Sequence, residues 1–157
     1  MMAEWTSIAE QTVQPGGSVV FTFNSVPCNR GFVRHRNDDG NFLLSGWLPS
    51  GRCNCGCNRN KSAVYFVDFG ANIAIPTDGE VGEISVSFAI NGSPIPSTTM
   101  SVTPAAVEEY FNVSRAANVE IWKGCCQTVT IQNTSDQPIL VRNATIDFSR
   151  PDLAVSY

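Results

Sequence analysis

Residues 84–100 read ISVSFAINGSPIPSTTM. Ile84, Val86, Phe88 and Ile90 alternate with the small residues Ser85, Ser87 and Ala89, the period of a strand with one buried face. Asn91 and Gly92 follow, two residue types that accept positive φ and so predict a tight hairpin turn. The chain then returns through residues 99–103. A helix would scatter these four apolar side chains around its axis, so the stretch decides for β structure.

The same grammar extends in both directions. Residues 18–24, SVVFTFN, predict a strand with Val19, Phe21 and Phe23 on one face. Strands over 32–36 and 41–48 flank the turn Asn37-Asp38-Asp39-Gly40. Residues 63–69, AVYFVDF, form a further run, and 72–75 continue to a stop at Pro76. Segments 119–122, 128–132 and 139–148 complete the set, the last as one strand or two. About nine or ten short strands at this spacing predict an antiparallel two-sheet sandwich. Residues 103–111, TPAAVEEYF, carry an N-cap candidate, Pro at the first helical position and Glu in the first turns. They predict one short helix or a β connection.

Composition agrees. Val and Ile together number 26 against five Leu, and β-branched side chains favour sheets over helices. The length of 157 residues suits one domain. Residues 1–12 are read as an N-terminal arm and 13–157 as a single domain. No apolar run approaches the ~20 residues of a membrane-spanning helix. Fourteen acidic against ten basic residues, net charge −4, argue against a general nucleic-acid binder. The charge is uneven: Arg30, Arg34, Arg36, Arg52, Arg59 and Lys61 face only Asp38 and Asp39 within residues 30–61, and the remainder is acidic.

Six cysteines punctuate the chain: Cys28, then Cys53, Cys55 and Cys57 in SGRCNCGCNRN, then the adjacent Cys125 and Cys126. Residues 50–60 contain no large apolar side chain and are read as a projecting loop. The six cysteines are disulfide candidates, in any of fifteen pairings, and reduced thiols stand level with that reading. Behind both comes a metal set of Cys53, Cys55 and Cys57 with His35, since i, i+2 and i+4 share one side of an extended segment. His35 sits in Arg34-His35-Arg36 and is read as a strand-face residue. No nucleophile elbow, zinc-protease helix or phosphate loop is present. Glu108-Glu109 and Asp38-Asp39 are sequence neighbours, not carboxylates facing each other across a cleft. No catalytic residue and no cofactor is therefore expected.

Two stretches carry a family likeness. Residues 84–100 resemble the central hairpin of the trimeric jelly-roll heads of collagen-like exosporium glycoproteins, which share a fold with tumour necrosis factor and the complement globular head. Residues 123–139, KGCCQTVTIQNTSDQPI, resemble the same family's late hairpin. GANIAIPT, TPAAVEEYFNVS and GCCQTVTIQNTSDQPI are together also similar to small virion-surface proteins of bacteriophages infecting gut Firmicutes. The likeness runs over residues 12–148. The chain departs from the exosporium proteins in lacking a Gly-x-y stem and in its cysteine-rich loop. The resemblance implies a jelly roll, a homotrimer, and a non-enzymatic structural role on a phage capsid or head fibre.

Three runs, AVYFVDF, FLLSGWL and IAIP, are apolar on both faces, and a sandwich covers only one. A cyclic oligomer would cover the other. The N-terminal residues show no basic region followed by an apolar one, so assembly in the bacterial cytoplasm is expected. The alternative function is a carbohydrate-binding module, using loops or the aromatics Trp5, Trp47, Trp122, Tyr65, Tyr110 and Tyr157. The default for those aromatics is burial in the core or at an interface.

Overall fold

A computed structural model describes residues 2–28, 31–36, 38–48 and 62–151. Its strands are β1 (Met2–Ser7), β2 (Gln11–Val13), β3 (Phe23–Val26), β4 (Val33–His35), β5 (Phe42–Gly46), β6 (Ser62–Ala74), β7 (Ile84–Ile90), β8 (Ser93–Pro94), β9 (Met100–Val102), β10 (Phe111–Trp122), β11 (Gly124–Asn133) and β12 (Ile139–Ser149). They form two antiparallel sheets. Sheet A has the order β10-β6-β12-β1-β3, with β2 also paired to β12. Sheet B has the order β4-β5-β11-β7-β8, with β9 also paired to β7. The jelly-roll sandwich expected from the sequence is the observed architecture.

Alternation builds the core. From sheet B, Ile84, Val86, Phe88, Phe42, Leu44, Val129 and Ile131 point inward; from sheet A, Trp5, Tyr65, Val67, Phe69, Ile146 and Phe148 meet them. Trp5, Phe42 and Phe148 pack edge-on or tilted, with centroids 4.8 to 6.0 Å apart, the offset geometry that aromatic quadrupoles favour. Two buried polar side chains are bonded into the frame. Thr98 Oγ1 accepts from the Phe88 amide and donates to the Ile95 carbonyl. Asn133 Nδ2 donates to Val13 and Gln137 carbonyls, tying the β11–β12 turn to β2.

The central hairpin is as expected. Asn91 and Gly92 have φ of 51° and 82°, the pair of left-handed conformations a primed turn requires. Asn91 Oδ1 also accepts from the Thr128 amide and hydroxyl on the neighbouring strand.

Other segments differ from their sequence reading. Residues 2–7, within the expected arm, are β1, inserted between β12 and β3 with Ala3 and Trp5 buried. In residues 18–24, Val19 and Phe21 are buried but Phe23 is exposed, because the chain makes only isolated bridges at Ser18 and Phe21 before β3 begins. The alternation is broken there. Residues 103–110 are not helical. Glu108 has φ of 58°, and its amide donates to the Ile75 carbonyl, so tertiary bonding overrides the local helix signals. The one short helix among the described residues is a 3-10 turn at Pro96–Thr98. β12 is one strand with a bulge, where Asn143 takes φ of 54° and the register with β6 shifts between Arg142 and Thr145.

Candidate functional site

The register of sheet A decides what its outer face presents. Met2 lies opposite Ser149, and Ser149 opposite Phe66. Phe23 lies opposite Thr6, and Trp122 opposite Ser62. Met2, Phe23, Phe66 and Trp122 therefore share this face, with exposures of 55%, 62%, 41% and 62%. Between them the face is small and polar: Thr6, Thr145, Gly70 and Ser114 follow one another across four strands.

One row of this face is acidic. Glu4 on β1 is directly opposite Asp147 on β12, and Asp147 is directly opposite Asp68 on β6. Neighbouring strands stand ~4.8 Å apart, so three carboxyl-bearing residues run side by side. Like charges placed this way destabilise a sheet. Asp147 bears most of the consequence. Its Oδ1 is closed off from solvent and has no hydrogen-bond partner. Burial first, then the charge and hydrogen bonding of Glu4, then the charge of Asp68, push its pKa up to about 6.

The doubly apolar runs divide. In AVYFVDF, Phe66 is exposed and Val64 half-buried. In FLLSGWL, Leu43 and Leu48 are half-buried, while Trp47 is exposed beside Phe32, ring centroids 5.5 Å apart. IAIP is different: Ile73, Ala74, Ile75 and Pro76 are all buried within the subunit, so that run needs no neighbour to cover it.

His35 belongs to the core edge. Its ring stacks on Phe42 at 4.0 Å, Nδ1 lies 2.8 Å from the Asn41 carbonyl and Nε2 lies 2.9 Å from that of Phe21. Neither nitrogen is left for a metal, which removes His35 from the metal set. Among the described residues, no group of three His, Cys, Asp or Glu side chains is placed to hold a metal ion. Cys53, Cys55, Cys57 and the rest of the expected loop at 50–60 lie outside the described residues. Cys28 is half-buried against the core, Cys126 takes part in a disulfide, and Cys125 lies in β11.

Near one end of the sandwich, Arg150 is buried. It donates from Nη1 to the Trp47 carbonyl, with its guanidinium over the Phe32 and Tyr65 rings. Tyr65 donates its hydroxyl to the Ser45 and Phe32 carbonyls; burial pushes its pKa up against the opposing effect of Arg150. Elsewhere, Tyr110 donates to Glu10 and receives the Arg142 guanidinium over its ring at 3.7 Å. Burial and Glu10 raise the Tyr110 pKa to about 12. These contacts clasp strands together. A cleft of about 510 Å³ between the β6–β7 and β11–β12 connections carries Asp78, Glu80, Glu83 and Asp136, with no His, Cys, Ser or Lys in its lining.

The acidic row was not legible in the sequence. Asp68 and Phe66 sat visibly in AVYFVDF, but nothing in the chain order placed Glu4 and Asp147 beside them. A signal did exist for the face, since AVYFVDF was apolar at successive positions.

No protein-family model matches the chain, and no curated protein matches it in sequence. Solved structures do match. The globular domain of zebrafish complement 1qA protein is similar at 13% identity over 96% of each chain, with a TM-score of 0.61. Eiger TNF from S. frugiperda is similar at 10% identity over all of this chain and 94% of that one, with a TM-score of 0.64. Murine APRIL is similar at 9% identity over 95% of this chain and 97% of that one, with a TM-score of 0.58. At such identities the likeness is one of fold: an all-β jelly roll of the complement 1q and tumour necrosis factor type.

Proposed function

We propose that the chain is a non-enzymatic structural subunit that self-associates as a homotrimer through the outer face of sheet A and decorates a phage particle, as a capsid decoration protein or part of a head fibre. The observation that carries the assembly is that Met2, Phe23, Phe66 and Trp122, half of the large exposed apolar side chains among the described residues, all lie on that one face. Large exposed apolar patches on a soluble domain mark contact surfaces. Further copies of the chain suit the face because head-to-tail contacts close into a ring when the rotation closes, and such a ring can turn the same face of every copy inward. The count of three rests on the resemblance to trimeric jelly-roll heads. The virion surface rests on the likeness of residues 70–77, 103–114 and 124–139 to phage surface proteins, and other virion proteins are then the remaining partners.

The test is mass in solution by light scattering at micromolar concentration. Three times the 17.0 kDa chain mass is expected, falling to one chain for Phe66→Glu, whose charge would be buried at the contact. A wild-type mass of one chain at both neutral and mildly acidic pH would refute the reading. Electron microscopy of particles labelled through this subunit tests the virion placement.

A further inference from the structure

The acidic row sits in the middle of the face just assigned to self-association. Met2, Ser149 and Phe66 run along one side of it, and Thr6, Thr145 and Gly70 along the other. Apolar and small neighbours leave the carboxyl groups few partners other than each other and water. Asp147, at the centre, already has one oxygen without either.

The charged groups around Asp147 are few. Glu4 faces it from β1 and Asp68 from β6. β3, which borders β1, contributes Val26 opposite Glu4. β10, which borders β6, contributes Ala116 opposite Asp68, with Arg115 next along and facing the other way by register. Glu120 lies further along the same face, opposite Val64. Arg142, on β12 itself, is beyond the bulge, opposite Asn72, with its guanidinium over Tyr110. No basic side chain among the described residues lies opposite the row.

Covering this face removes the remaining water from three adjacent carboxyl groups. Ionised and unpaired, they would oppose the contact strongly. With a proton held between each adjacent pair, one carboxyl donates to the next and the row becomes a hydrogen-bonded ladder. We infer that association through the outer face of sheet A takes up protons on the Glu4–Asp147–Asp68 row, so that the assembly tightens in mild acid and loosens toward alkaline pH. This inference rests on the assembly reading above and adds its regulation.

The direction follows from linkage. Asp147 in the free subunit titrates at about 6, and further burial in the assembly raises that value again. Below the free-subunit value both states hold the proton, and association is insensitive to pH. Above it, the assembly must bind a proton that the free subunit has lost, and association weakens as pH rises.

Sedimentation equilibrium of the intact chain between about pH 5 and pH 8 at constant ionic strength reads this directly. The wild-type association constant should fall by up to tenfold per pH unit for each proton taken up. Asp147→Asn should remove the slope and keep the tight value at the alkaline end. Glu4→Gln leaves Asp147 with one like charge fewer and should move the window to lower pH; it carries the test alone if Asp147→Asn does not fold. Wild-type assembly independent of pH, or a slope that persists in a folded Asp147→Asn, overturns the inference while leaving the assembly standing. A single-chain mass for every variant at every pH overturns the assembly reading and this inference with it.

Discussion

The two outer faces of this sandwich are built to different rules. Sheet B turns Ser85, Ser87, Ser101, Thr128, Thr130 and Gln132 away from the core. Ser85 Oγ bonds with Thr134 Oγ1 at 2.7 Å, Thr128 donates its hydroxyl to Asn91 Oδ1, and Gln132 Nε2 donates to the Gly16 carbonyl, while Ser87 Oγ is buried without a partner. Sheet A turns out Met2, Phe23, Phe66 and Trp122, around a row of three acids. Among the described residues, no large exposed apolar side chain lies in a strand of sheet B. Each sheet buries an apolar inner face in the common core, so the need for a core does not explain the contrast. A face kept apolar and internally repulsive, at a cost to the isolated subunit, points to a contact made elsewhere.

The sharpest way to probe the contrast is to make one substitution on both sides of the sandwich wall. Phe88→Ala should cost about 3–5 kcal/mol, because it empties a fully buried site between the sheets. Phe66→Ala, examined under conditions where the chain is monomeric, should cost less than about 1 kcal/mol, since its ring already faces water. Urea denaturation measures both, and equal costs would mean that the outer face of sheet A is packed within the subunit.

Next in size is the hairpin that orders sheet B. Gly92→Val should destabilise by roughly 1–3 kcal/mol, because a β-branched residue is strained at φ of 82°. An unchanged melting temperature would show that the turn relaxes without loss.

Asp147→Asn should stabilise the folded subunit near neutral pH by about 1 kcal/mol, the full effect of the shift being discounted for solvent screening. The sign follows from a folded-state pKa of about 6, above the ordinary value. The wild type is most stable where Asp147 is protonated in both folded and unfolded chains. It loses that contribution as pH rises from the ordinary aspartate range to about 6, and is level above. The gain from Asn should therefore appear across that window and vanish below it, as thermal melts at a series of pH values will show.

The smallest effect belongs to sheet B. Ser101→Glu, on an exposed position opposite Ser85, should change stability by no more than about 0.5 kcal/mol and leave the mass in solution unaltered. Loss of assembly in this variant would move the contact to the other sheet.

Much of this architecture was legible. Alternation over 84–90 put Ile84, Val86 and Phe88 on the buried face, because a strand's side-chain period of two is a local property. Asn91-Gly92 named its own turn, because positive φ is a demand only a few residue types meet. The misreadings arose where neighbours overruled local preference. TPAAVEEYF has the marks of a helix start, yet the Glu108 amide is taken by the Ile75 carbonyl, just past the end of β6 and far away in sequence. Phe23 follows the alternation of Val19 and Phe21 on paper, yet the irregular chain before β3 turns it outward.

The amino-acid order by itself determined that this protein is all-β, where its central hairpin turns, and which side chains of each regular strand share a face. Only the tertiary structure decided which strands lie side by side. Glu4, Asp68 and Asp147 come from the two ends and the middle of the chain, and each alone is an ordinary strand acid. Antiparallel pairing of β1 with β12 and β12 with β6 sets them in one row, and a one-residue change of register would send them to opposite faces. The periodicity of a strand is written in its own residues, but its register is fixed by the packing of all the strands at once.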